Sequence, residues 1–172
     1  DFVIDAGELP KNKPSTVVNT TLNEIKVLSE GDVKLISPKF FTSNSVKDTM
    51  ILGREIIKNL EIGKSPIVFA LQGELGTGKT YFTKGLAREL GVKRNVVSPT
   101  FILCREYQCK IKGLKLFHID LYRIFDQKEF LDLGFERMIE NPNIVVIEWA
   151  EKVSNILNEF KDMVVLVWVK FK

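Results

Sequence analysis

The sequence predicts an α/β fold: a three-layer sandwich around a largely parallel sheet, preceded by a small β-rich segment. Three observations carry this. An apolar run, Ile67-Val68-Phe69-Ala70-Leu71, leads through a glycine-rich turn into a helical pattern from Tyr81 to Leu90. Two later apolar runs, Leu116–Ile119 and Asn143–Ile147, each close on an acid, Asp120 and Glu148. Helical patterns fill the stretches between strands, as a layered α/β domain requires.

The first forty residues carry a pattern of their own. Phe2–Ile4 and Ser15–Val18 are β-like, Leu22–Leu28 alternates with period two, and Val33–Ile36 opens another extended run. Lys11–Pro14 and Gly31-Asp32 read as turns. This segment has too few apolar residues for a separate core. The expected division is therefore residues 1–40 as a remnant or linker and residues 41–172 as the main domain. The chain opens on Asp1 rather than Met, which reads as a processed form or a piece of a longer protein.

Thr42-Ser43-Asn44-Ser45 offers N-cap residues for a helix whose apolar positions are Val46, Met50, Ile51, Ile56, Ile57 and Leu60, with Gly63 as its stop. The helix reads as a cover for the core, and the segment before it can border an adenine ring. Residues 73–80 read Gly-Glu-Leu-Gly-Thr-Gly-Lys-Thr. That spacing is the phosphate-binding P-loop. Its glycines turn the backbone tightly, so that successive N–H groups face one anion, and the following helix adds its N-terminal dipole. Gly73, Glu74, Leu75, Gly76, Thr77, Gly78, Lys79, Thr80 and Tyr81 are the expected nucleotide-binding set. Lys79 is expected on the β- and γ-phosphates and the Thr80 hydroxyl on Mg²⁺.

Phe82, Leu86, Ala87 and Leu90 form the apolar stripe of the P-loop helix, and Gly91 ends it. The turn Val97-Ser98-Pro99-Thr100-Phe101 follows. A loop in this place often faces the γ-phosphate, so the Ser98 and Thr100 hydroxyls are candidates for phosphate, water or Mg²⁺. Ile102–Gln108 and Leu114–Ile119 read as a hairpin, with Tyr107 and Phe117 as packing aromatics. His118, the single histidine, reads as a structural hydrogen-bonding residue. Asp120 and Glu148, at strand ends, are expected to hold a metal-bound water, with Glu148 also placed to act as base. Lys79, Asp120 and Glu148 are thus the catalytic candidates; Thr80, Asp120 and Glu148 are the metal candidates. Arg123 can pair with a carboxylate or reach the nucleotide. Phe130–Ile139, broken at Gly134, reads as helix, turn and short helix. Trp149 reads as a packing or partner-facing residue. Glu151–Phe160 reads as a modest helix and Met163–Phe171 as a final, partly buried strand.

Composition excludes several classes. The 172 residues carry 25 basic and 22 acidic side chains, a net charge of +3. This is too mild, and too evenly spread, to argue nucleic-acid binding. No apolar run approaches the roughly 18 residues of a membrane span. Cys104 and Cys109 lack zinc-ligand spacing, and one histidine cannot complete a set. Reduced thiols in a cytoplasmic chain are expected. No Asn/Thr-Lys-x-Asp guanine-reading motif is visible, which favours ATP.

The motifs Gly73–Thr80, Ser98-Pro99-Thr100-Phe101, His118-Ile119-Asp120-Leu121-Tyr122-Arg123, Leu133-Gly134 and Ile147-Glu148-Trp149 occur in that order. Together they resemble the TsaE (YjeE) family, small bacterial ATPases needed to make N6-threonylcarbamoyladenosine in tRNA. The resemblance spans residues 41–172. It implies Lys79 on phosphate, Thr80 on Mg²⁺, and Asp120 and Glu148 around metal and water. Tyr81 stands where the family commonly has a small Thr. The resemblance also implies a TsaB–TsaD heterodimer as partner, tRNA reached through that complex, and hydrolysis that supports turnover of the complex. Separately, Asp1–Gly7, Pro14–Val18 and Val27–Gly31 resemble the tail of the TsaC/YrdC threonylcarbamoyl-AMP synthases, with Ser29 where that family usually has Arg. The synthase product is what the same pathway consumes, so a TsaC-like domain fused upstream would explain both resemblances.

Other functions are compatible with the same P-loop. A small-molecule kinase on the same fold usually needs an arginine-rich lid, and Asp120–Asn141 offers only Arg123 and Arg137. A nucleotide-binding module without hydrolysis would keep its partner binding after Asp120 and Glu148 are neutralised. Direct tRNA binding lacks a stacking platform or basic stripe.

Overall fold

The computed structural model describes residues 40–172 in full, together with the backbone of two short strands before them. Those strands, β1 (Val17–Asn19) and β2 (Lys26–Ser29), pair antiparallel. The remaining expectations for residues 1–39, including those drawn from the synthase-like likeness, lie outside the described residues. The chain divides into two compact units, Asp1–Thr42 and Ser43–Lys172.

The second unit opens with helix α1 (Val46–Lys58). Of the candidate caps, Ser45 is the one used: its side chain accepts from the Asp48 amide at 3.1 Å. The helix stops at Asn59, earlier than Gly63, because the Asn59 amide turns back to the carbonyls of Ile56 and Ile57. Its buried face runs through Thr49, Gly53 and Ile57, one residue per turn, whereas Val46 and Ile51 are exposed. The reason is helix α2 (Lys79–Glu89), which lies directly against it. A Cβ on Gly53 would collide with the Phe82 carbonyl oxygen, and one on Gly85 with the Met50 carbonyl oxygen. The two backbones touch, so the seam is lined by the smallest side chains. The Arg54–Glu89 ion pair at 3.2 Å closes its rim.

Strand β3 (Ile67–Gln72) precedes the P-loop and lies inside the sheet. The hairpin β4 (Cys104–Gln108) and β5 (Lys115–Asp120) follows α2. Helices α3 (Gln127–Asp132) and α4 (Phe135–Ile139) then flank Gly134. Strand β6 (Ile144–Glu148), a 3₁₀ turn (Ala150–Val153), α5 (Ser154–Glu159) and β7 (Val165–Lys170) complete the chain. The sheet order is β4-β5-β6-β3-β7. All its pairings are parallel except the β4–β5 hairpin.

Strand periodicity sorts the core into two layers. Val68, Ala70, Ile119, Val145 and Ile147 face Phe130, Phe135, Val153 and Leu157. Ile67, Phe69, Leu71, Leu116, Ile144 and Val146 face Ile57, Phe82 and Leu86. Helices therefore cover both faces, which gives the three layers expected. β7 forms an edge, and its Val165 and Trp168 remain substantially exposed. No helix among the described residues is long and apolar enough to cross a membrane.

Candidate functional site at the carboxyl ends of the strands

The parallel register fixes the site. Leu71 of β3 stands opposite Glu148 of β6, and Glu148 stands opposite Asp120 of β5. Three strand ends thus meet at one edge of the sheet, where α/β proteins place their ligands. Alternation puts Leu116, His118 and Asp120 on one face of β5, and Ile144, Val146 and Glu148 on one face of β6. Leu116, Ile144 and Val146 lie in the core layer that also holds α2. The two acids are thereby delivered to the side of the sheet where the P-loop helix begins.

The loop between β3 and α2 carries positive φ at Gly76 (81°) and Gly78 (103°). Side chains rarely adopt this conformation. Gly78 is also the α2 N-cap and faces Thr49 of α1, where a Cβ would lie 3.3 Å from Thr49 Cγ2. The Lys79 ammonium donates to the carbonyls of Gly73 at 2.6 Å and Glu74 at 2.8 Å. It also lies 4.2 Å from the centre of the Trp149 ring. Lys79 is only 4% exposed. Burial pushes its pKa below the usual lysine value, while Glu148, Glu151, Asp120 and Glu74 oppose that shift.

Around the lysine, a cavity of about 300 Å³ is lined by residues from the loop, α2, the 98–100 turn, β5 and β6. Leu75, Gly76, Gly78, Lys79, Thr80, Tyr81, Ser98, Thr100, Asp120 and Glu148 all take part. Gly73, Glu74 and Thr77 do not. Gly73 and Glu74 serve through carbonyls that hold Lys79, and the Thr77 hydroxyl donates to the Glu74 carbonyl at 2.8 Å. The Thr80 hydroxyl donates to Glu148 Oε2 at 3.2 Å. Ser98 and Thr100 donate to Asp120 Oδ2 at 2.8 and 2.5 Å, and the Tyr122 amide donates to Oδ1 at 3.0 Å. The two hydroxyls also lie 2.7 Å from each other, so they form one cluster with the acid, which ties the 98–100 turn to β5.

Tyr122 and Trp149 also line the cavity, and their rings lie 5.2 Å apart. Trp149 takes positive φ (61°), an uncommon conformation for a bulky residue. That turn swings its ring over Lys79, and sequence pattern alone does not reveal it. Arg123 reaches neither acid; its guanidinium lies 5.5 Å from the Phe101 ring. His118 stands behind the cavity wall, fully buried, with Nε2 2.8 Å from Glu148 Oε1.

The family model "Threonylcarbamoyl adenosine biosynthesis protein TsaE" matches residues 43–170. A protein of Treponema pallidum named tRNA threonylcarbamoyladenosine biosynthesis protein TsaE is 39% identical over 118 residues, covering 69% of this chain and 83% of the relative. Proteins of the same name from Haemophilus influenzae and Bacillus subtilis are 40% and 39% identical over 61% and 58% of this chain. The matches span 65% and 60% of those two relatives' own lengths. The crystal structure of Bacillus subtilis YdiB superposes with a TM-score of 0.51 at 28% identity, covering 66% of this chain and 65% of that one. The fold is that of P-loop NTPases, and fold and family together imply nucleotide binding. With the family model covering nearly the whole second unit, this chain belongs to the TsaE family.

Proposed function

We infer that the chain is a Mg²⁺-dependent ATPase that acts on a TsaB–TsaD-like complex during formation of threonylcarbamoyladenosine in tRNA. The observation that carries this is the convergence of Lys79, Thr80, Asp120 and Glu148 on one cavity at the start of α2. The donor set fits a magnesium ion: a hydroxyl and two carboxylates, all hard oxygen ligands. Among the described residues no cluster of three or more His, Cys, Asp or Glu side chains forms a cage. That suits an ion which keeps several waters and relies on phosphate oxygens.

Each residue then has a distinct task. The loop amides and the Lys79 ammonium bind phosphate oxygens, with Lys79 exchanging its two carbonyl partners for them. Thr80, Asp120 and Glu148 would hold the magnesium ion, directly or through its waters. Glu148 accepts a proton from the attacking water. Tyr122 and Trp149 wall the lysine from solvent. The bound magnesium ion supplies charge neutralisation on the phosphates.

The partner reading draws support from exposed apolar side chains on the cavity wall and on the loops that carry it. Leu75, Phe101 and Phe125 are 75%, 86% and 97% exposed. Calorimetric titration with ATP, with and without Mg²⁺, tests the nucleotide assignment. Lys79→Ala is expected to weaken binding and Glu148→Gln to spare it, while Glu148→Gln lowers phosphate release by about 100-fold or more. Unchanged release by Glu148→Gln would remove the assigned base.

A further inference from the structure

β5 and β6 run parallel with His118 opposite Val146 and Asp120 opposite Glu148. His118 therefore sits one step behind the acids on the same face, diagonal to Glu148. It is fully buried and takes no part in the cavity wall. Its Nε2 lies 2.8 Å from Glu148 Oε1, and its Nδ1 has no hydrogen-bond partner. An ionised carboxylate only accepts, so the ring hydrogen belongs on Nε2. The arrangement is thus one imidazole N–H donating to one oxygen of Glu148. The other oxygen, Oε2, receives the Thr80 hydroxyl at 3.2 Å.

We propose that His118 is a positioning residue for Glu148. It fixes the rotation of the carboxylate, holding Oε1 against the sheet and turning Oε2 to Thr80 and the cavity. The inference rests on the reading of Glu148 as a working acid. Without the imidazole, the carboxylate can rotate about its last torsion and spread its charge over several orientations. An outer partner of this kind typically affects metal affinity or activity without touching either.

The test uses the full chain and compares His118→Leu, His118→Gln, His118→Asn, Glu148→Gln and the double variant His118→Leu/Glu148→Gln. A glutamine places its amide N–H near the position of Nε2; an asparagine places it near Nδ1. Three quantities are read: Mn²⁺ affinity by electron paramagnetic resonance in the presence of a non-hydrolysable ATP analogue, kcat and KM for hydrolysis, and thermal midpoint. His118→Leu is expected to weaken Mn²⁺ binding and lower kcat, roughly 10–100-fold, with metal-free nucleotide binding unchanged. His118→Gln recovers most of both and His118→Asn does not, at matched thermal midpoints. In the Glu148→Gln background, His118→Leu adds no further loss of kcat. Wild-type Mn²⁺ affinity and kcat in His118→Leu, alongside a damaged Glu148→Gln, would overturn the proposal while leaving Glu148 in its role. Equal behaviour of the Gln and Asn variants would overturn it too, and that pair carries the test should the leucine variant not fold. No effect of Glu148→Gln itself would instead remove the functional reading beneath it.

Discussion

Cys104 opens β4 and Cys109 lies just past its end, both free and half-buried. Burial pushes each thiol from the ordinary 9.0 to about 11, with Glu106 adding to the effect on Cys104. The folded chain then holds two protons that the unfolded chain releases first. The stability this contributes is complete below pH 9.0 and is lost as pH rises through about 11. Alkylation by iodoacetamide at neutral pH is therefore expected to be much slower in the folded than in the urea-unfolded protein, with the folded rate rising toward pH 11. Equal rates in both states would show that burial does not control these thiols. Single residues also mark how far the chain could be read before its structure. Asp120 and Glu148 were legible because an apolar strand ending in an acid is a pattern in one dimension. The link between His118 and Glu148 was not, because it depends on the register of β5 against β6. Trp149 escaped for a different reason: its place in the cavity depends on one backbone angle with no side-chain signature.

At the scale of elements, α1 shows what periodicity misses. Apolar spacing pointed to Val46, Met50 and Ile51 as part of the buried stripe, yet the seam with α2 is built on Thr49, Gly53 and Gly85. Hydrophobicity marks a face only where side chains make the contact; here backbones do. Gly53→Ala and Gly85→Ala are each expected to force the helices apart and cost about 1–3 kcal/mol in urea unfolding. A loss below a few tenths would mean that the seam yields freely. The loop after β5 has its own fastener. The Lys152 ammonium donates to the carbonyls of Leu121, Tyr122 and Ile124 at 2.9, 2.6 and 3.0 Å. Lys152→Met removes the charge but keeps most of the stem. It is expected to cost about 2 kcal/mol and to speed amide exchange in residues 121–125, which carry cavity-lining Tyr122. Unchanged exchange there would assign the loop's order to other contacts.

Taken as a whole, the second unit delivers two acids, a hydroxyl and a lysine to one place through topology alone. β3, β5 and β6 run parallel, so their carboxyl ends meet, and α2 begins where they meet. The P-loop motif and strand-closing acids made this edge legible, and the hairpin and the break at Gly134 were legible as separate features. The order of strands was not legible, since adjacency in a parallel sheet leaves no mark on neighbouring residues. The net charge of +3 gives this chain little general attraction for tRNA. Phosphate release from ATP, measured with and without a TsaB–TsaD complex, tests this account most directly. It predicts slow release by the wild-type chain alone, a marked rise on adding the complex, and no release above background by Lys79→Ala in either case. Fast release that ignores the complex, or a rise that survives Lys79→Ala, would contradict it.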